Sequence, residues 1–299
     1  MEAPIQRFLE PGFRPSVRWL PRPGRRGYQA DPFGWRDPSG QVHVLCEDYN
    51  AATDRGHLAA LTPGRGTYGD AAQGPAPLIS VGRPLAGLPE SLHCSSPYLL
   101  AEAGELFCVP ECWESGEVRL YRALEPPTRW RLEAVLLPGV PGVDPTIFTH
   151  EGRWWLACTR HDRDADRDLY LWHAPALGGP WTAHRQQPAK SDYGSARPAG
   201  TPFRHQGALY RPAQDCSTTY GGAVVINRIR QLTPDAFAEE PAARLAPYAD
   251  WPHRRGWHTL AAVGDGVTLV DAKRVVCLPA ACRRALRRKL GRGLRRGPR

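Results

Sequence analysis

An all-β, five-bladed β-propeller is the fold this sequence predicts, and three observations predict it. The 299 residues include 30 Gly and 31 Pro, a composition of many turns and short strands rather than long helices. A strand–turn–strand unit recurs five times along the chain. Within the units apolar residues alternate with period two, as in strands that lay one face on a neighbouring sheet. A propeller explains the spacing because one twisted sheet cannot bury its faces alone and must stack radially on others. A β-sandwich with accidental periodicity is the alternative.

The units begin at Ala30 (ADPFGW), Ser95 (SSPYLL), Asp144 (DPTIF), Ala199 (AGTPF) and Trp257 (WHTLAA), with turn glycines Gly40, Gly104, Gly152, Gly207 and Gly266. Successive turn glycines lie 64, 48, 55 and 59 residues apart, the length of a four-stranded blade. An apolar strand follows each turn (VHVLC, LFCV, WWLAC, ALYR and VTLV), and runs from Gly56, Val118, Leu169 and Ala223 read as the outer strands. Residues 1–27, rich in Arg and Pro, are expected to be a surface arm, 28–278 the propeller and 279–299 a basic tail.

The net charge of +9 is the charge of residues 283–299, which hold eight Arg and Lys289 without an acid; the body balances 30 basic against 30 acidic residues. Specific nucleic-acid binding by the folded body is therefore not expected. Leu286, Leu290 and Leu294 sit among those arginines at four-residue spacing. The pattern suits an amphipathic helix on an anionic membrane surface, weakened by Gly291 and Gly293. No signal-peptide core or membrane-length apolar run is present, so the expected setting is cytoplasmic, with peripheral contact at the inner membrane face through the tail. The eight cysteines then read as reduced thiols. Cys108 and Cys112 lack the partners of a zinc tetrahedron, and the run from Asp162 to Asp168 lacks the Gly and Glu of a calcium loop. No metal site and no organic cofactor are expected.

Several stretches resemble a known family: ADPF at 30–33, HCSSP at 93–97, PE at 110–111, VDPTIF at 143–148, ARPAG at 196–200, YRPAQD at 210–215 and WHTL at 257–260. The order is that of the β-propeller domain at the N-terminus of plant glucosamine inositolphosphorylceramide transferases and of bacterial proteins linked to surface-polysaccharide synthesis. The resemblance implies a carbohydrate ligand and, because the plant transferase chemistry belongs to a separate C-terminal domain, a partner glycosyltransferase. More distantly the pattern is similar to the five-bladed glycoside hydrolases of families 43, 32 and 68, in which Asp-Pro motifs of blades one and three face each other across the axis. Asp31 and Asp144 match those two positions.

Glycosyl transfer or hydrolysis needs one carboxylate as nucleophile or base and one protonated carboxyl to assist the leaving oxygen. Asp31 is the candidate for the first role and Glu111 for the acid; Asp144 completes the catalytic set, and Asp215 stands in reserve among the substrate-binding residues. Asp before Pro is also a common turn residue that bonds its own backbone. Where the hydrolases carry an acid in blade four, this sequence has Arg197, whose planar fork would grip a carboxylate or phosphate, with Arg211 beside it. An anionic or phosphate-linked sugar is therefore an expected ligand. His93 and His258, at blade starts, are expected to meet sugar hydroxyls or orient an acid, and one of Trp35, Trp113 and Trp257 to stack on a sugar face. The sequence leaves open an enzyme of bacterial cell-surface glycan assembly, a non-catalytic glycan-binding propeller and a scaffold.

Overall fold

The computed structural model describes residues 1–20, 27–61, 78–79, 85, 87–89 and 91–274. It is an all-β propeller of consecutive antiparallel sheets in which each strand pairs with the next within its sheet, save one short strand of the third sheet that pairs with the strand two before it. The first sheet comprises β1 (Gly27–Arg36), β2 (Val42–Asn50), β3 (Arg55–Leu61) and β4 (Leu78–Ile79), and the second β5 (Ser95–Glu102), β6 (Glu105–Glu111), β7 (Glu117–Glu125) and β8 (Arg129–Pro138). The third holds β9 (Gly142–His150), β10 (Arg153–Arg160), β11 (Asp168–Ala174), β12 (Thr182–Ala183) and β13 (Lys190–Ser191). The fourth holds β14 (Phe203–His205), β15 (Ala208–Asp215), β16 (Ala223–Leu232) and β17 (Phe237–Leu245), and the last β18 (Gly256–Val263) and β19 (Val267–Lys273). Five equal blades were expected; the described residues form four full blades and a two-stranded hairpin. The hairpin's open side is met by the chain's own start, where Met1 and Thr268 exchange backbone hydrogen bonds and Thr268 Oγ1 donates to the Ala3 carbonyl.

The runs read as outer strands are third strands, and β4, β8, β12 and β17 lie beyond them. β8 and β17 escape a hydrophobicity reading because most of their side chains are solvated. Turn glycines 40, 104, 152 and 207 take positive φ, and in the last hairpin that role passes to Gly264. The described residues before β1 form no strand, yet they bury Ile5 and Phe8 against Trp257 and Leu260. Among the described residues no helix is long and apolar enough to cross a membrane, and the amphipathic tail expected at 283–299 lies outside them.

Apolar side chains between the sheets make the core. Trp130, Trp155, Trp257 and Tyr121 are fully buried there, each removing a large apolar area from water. Inner strands also bond directly from one sheet to the next. Tyr98 Oη donates to the Ile147 carbonyl at 2.6 Å, and Leu260 N–H donates to Ala199 O while Thr201 N–H donates to Leu260 O. The six described cysteines are buried and free.

Candidate axial site

One backbone feature, repeated on the inner strands, builds the site. Asp31, Ser96 and Asp144 each precede Pro, take φ of 52°, 41° and 49°, and sit where the strand register slips. Positive φ is uncommon for non-glycine residues and is best tolerated by Asp and Asn. The following Pro has no N–H to lose from the ladder, so the bulge costs little pairing and re-aims the residue before it. At Asp31 and Asp144 the freed N–H meets a carboxylate from the second strand of the preceding blade. Asp31 N–H donates to Asp271 Oδ2 and Asp144 N–H to Glu111 Oε2, each at 2.9 Å.

The two aspartates face different partners. Asp31 Oδ1 lies 3.1 Å from His258 Nε2 and accepts from Thr259 Oγ1 at 3.1 Å. His258 Nδ1 is 2.9 Å from Asp271 Oδ1 without hydrogen-bond angles, so the imidazole is gripped by charge between two carboxylates. Burial opposes its protonation, but Asp271 and Asp31 prevail and hold His258 well above its ordinary 6.5. Asp144 Oδ2 accepts from Arg197 Nε at 2.7 Å and from Gln214 Nε2 at 2.9 Å. Arg197 Nη1 reaches on to Asp166 at 3.0 Å. Neither aspartate side chain is tied into its own turn.

Glu111 and Glu47 supply the carboxyls that resist ionisation. Burial and the neighbouring Asp144 push Glu111 up to about 8, against the opposing pull of Arg197. Glu47, opposite Ala30 in the β1–β2 register, is buried, and its Oε1 has no hydrogen-bond partner among the described residues. Burial, Asp31 and Glu111 drive it well above the ordinary carboxylate range. Glu47 was not among the sequence candidates, although it follows the apolar run VHVLC as Glu111 follows LFCVP and Asp271 follows VTLV.

His93 belongs to the rim beside Glu47: its Nδ1 accepts from Gly56 N–H at 3.0 Å, and its Nε2 stands 3.5 Å from Glu47 Oε1. Two expected substrate contacts are engaged elsewhere. Arg211 is buried with Glu239 and donates to the Ser195 and Ala196 carbonyls, which is structural bracing. Asp215 is held by Ser217 at one oxygen and Arg244 at the other. Arg197 does not offer a free fork to an anion, because Asp144 and Asp166 already occupy it. Trp257 is fully buried and donates to the Thr259 carbonyl, while Trp113 is stacked 3.5 Å from His161 and Trp35 lies against His43.

Asp31, His258 and Asp271 also bring ligand-type atoms within 4.8 Å of one another; the charged imidazole neutralises that set from within. Chemically, the axis thus combines a carboxylate in an ion pair, one carboxyl, Glu111, that keeps a proton near neutral pH, and polar groups that orient them. Such divergent environments are how one site holds an acid and a base together.

Comparison with known proteins agrees with this geometry at the level of fold and family. The family model described as "Glucosamine inositolphosphorylceramide transferase 1, N-terminal" matches residues 29–259. The rice protein (Oryza sativa subsp. japonica) named glucosamine inositolphosphorylceramide transferase 1 is 38% identical over 159 residues, covering 52% of this chain and 21% of the relative. The Arabidopsis thaliana protein of the same name is 35% identical over 157 residues, 51% of this chain and 20% of the relative. The alignment thus spans about a fifth of these relatives' length, and as plant proteins they lend the expected bacterial setting no support. Among solved structures, the catalytic domain of the Coprinopsis cinerea GH62 α-L-arabinofuranosidase superposes with TM-score 0.57 at 15% identity, covering 82% of each chain. At that identity the likeness is one of fold.

Proposed function

Since this chain belongs to the family of glucosamine inositolphosphorylceramide transferase N-terminal domains, we propose that its axial site takes a glycosyl group and breaks or remakes the glycosidic bond, in glycan or glycolipid assembly. The reading takes the β18–β19 hairpin as the fifth blade, which contributes His258 and Asp271. One observation carries it: Asp31, paired with His258 on an inner strand, acts by charge on Glu111 of the second strand β6, a carboxyl that burial and Asp144 raise to about 8. Glu111 would give its proton to the leaving oxygen as the bond breaks, and Asp31 would take the developing positive charge at the anomeric carbon, as nucleophile or by activating the attacking hydroxyl or water. Asp144, fixed by Arg197 and Gln214, would orient the ring. With Arg197 already paired and carboxyls predominating around the axis, an uncharged or cationic sugar fits better than an anionic one.

The test is product formation from a panel of neutral and amino-sugar oligosaccharides, followed by mass spectrometry, for the natural chain, Asp31→Asn and Glu111→Gln. The reading expects turnover in the natural chain, at least about a hundredfold loss in each variant, and binding retained in all three. Binding without turnover in the natural chain would instead support a second reading, a glycan-presenting module for a partner transferase. That reading is favoured by the match to only about a fifth of the plant enzymes. Contact of the tail with an anionic membrane belongs to the same proposal, and flotation on anionic liposomes should fall when the chain ends at Pro279.

A further inference from the structure

The aromatic residue best placed to meet a ligand lies in the loop between β15 and β16, where no sequence pattern points. Tyr220 is 42% exposed, yet burial holds its hydroxyl well above the usual phenol range, with Asp144, Asp31 and Glu111 acting in the same sense against Arg197. Tyr220 therefore stands beside the catalytic candidates while part of its surface stays exposed. The hydroxyl makes no hydrogen bond to the described residues.

The position is built. The Arg197 guanidinium lies 4.7 Å from the ring centroid, and the His258 ring is 5.4 Å away, edge-on. Lys273 donates its ammonium to the Tyr220 carbonyl and stands 5.4 Å from the same ring. The next residue, Gly221, has φ of 54°, and a Cβ there would lie 2.5 Å from the His258 Cβ. The chain therefore passes against His258 only because Gly221 carries no side chain. On the other side of the loop, Ser217 and Gly222 are both tied to Asp215. These contacts explain why Asp215, which meets no axial group, is buried and fully bonded: it anchors the loop that carries Tyr220.

Resting on the carbohydrate reading above, we propose that Tyr220 is a glycosyl-binding residue of the axial site. Its exposed ring packs against the C–H face of a sugar, and its unpartnered hydroxyl bonds a sugar oxygen beside Asp144. An aromatic ring supplies a broad apolar contact at low entropic cost, and the hydroxyl adds direction. The cation–π contact with Arg197 holds the ring at the height where the sugar passes. The ligand class is a pyranose or furanose unit without negative charge, since Arg197, the guanidinium beside the ring, is already paired with Asp144 and Asp166.

The experiment compares binding of the neutral and amino-sugar panel by the natural chain, Tyr220→Leu and Tyr220→Phe, with Tyr193→Leu as control. Tyr193 is comparably exposed, but its hydroxyl is bonded to Asp164 away from the axial carboxyls. Thermal unfolding of each variant checks the fold, and Phe, which keeps the ring, reads the hydroxyl alone. We expect binding to weaken about three- to tenfold in Tyr220→Leu, by a smaller factor in Tyr220→Phe, and not at all in the control. Unchanged binding in both Tyr220 variants would overturn this assignment and leave the carbohydrate reading standing. A natural chain that binds nothing on the panel would overturn both.

Discussion

Replacing Glu111 by Gln should relieve a pH-dependent loss of stability that the axial site imposes on the fold. In the unfolded chain this carboxyl ionises near 4.5, and in the folded protein near 8. Between those values the native state holds a proton that the unfolded chain has released. Stability therefore falls by about 1.4 kcal/mol for each pH unit in that window and levels off above it. The full rise gives an upper bound of about 5 kcal/mol; water entering a site that still has some exposure would leave a few kcal/mol. The amide oxygen of Gln can still accept the Asp144 N–H, so the variant keeps the local hydrogen bond and loses only the ionisation. The assay is denaturant unfolding of both proteins at pH 5, 7 and 9. Glu47 and His258 titrate in both, so the difference between the two profiles reports Glu111 together with its effect on Glu47. That difference should move in the variant's favour by a few kcal/mol between pH 5 and pH 9. Parallel profiles would refute the argument that burial and Asp144 keep this carboxyl protonated.

Two further predictions follow from the same geometry. His258→Gln removes the cation between Asp31 and Asp271 and should cost about 3–5 kcal/mol at pH 6. Because the histidine is raised in the folded state, its stabilisation is fully present below 6.5 and is lost only as pH climbs through its raised value, so the deficit should shrink in alkaline unfolding experiments. Gly200→Ala places a Cβ against the Leu260 carbonyl at a φ of 128°, where neither backbone can yield. It should destabilise by more than about 3 kcal/mol, or prevent soluble expression, whereas Gly178→Ala, which meets nothing within 4 Å, should change the unfolding midpoint little.

Much of the axial site was legible because it repeats. Asp31 and Asp144 stand before Pro at matching points of their blades, and Glu111 and His258 fall at strand positions that the repeat aligns. The same alignment would have found Glu47, which follows VHVLC as Glu111 follows LFCVP, and Asp271, which follows VTLV. Arg211 was misplaced because the repeat gives a residue's position along a strand but not the face it takes, and Glu239, its partner, lies on a strand whose solvated pattern hid it. Asp166 was set aside with a run that lacks the Gly and Glu of a calcium loop, yet that run folds back to Arg197. Tyr220 left no trace in the sequence because its placement depends on a loop meeting His258 from another blade. The fold was clearer still, except that spacing between turn glycines does not give the number of strands in the last unit, which is two among the described residues.

The most direct test of the central claim is a crystal structure of Glu111→Gln soaked with an oligosaccharide that the natural chain binds. The account predicts a sugar ring on the axis, with its anomeric carbon between Asp31 and residue 111 and its ring hydroxyls toward Asp144. A sugar found only on the outer strands, with the Asp31–His258 and Asp144–Arg197 pairs untouched, would contradict it.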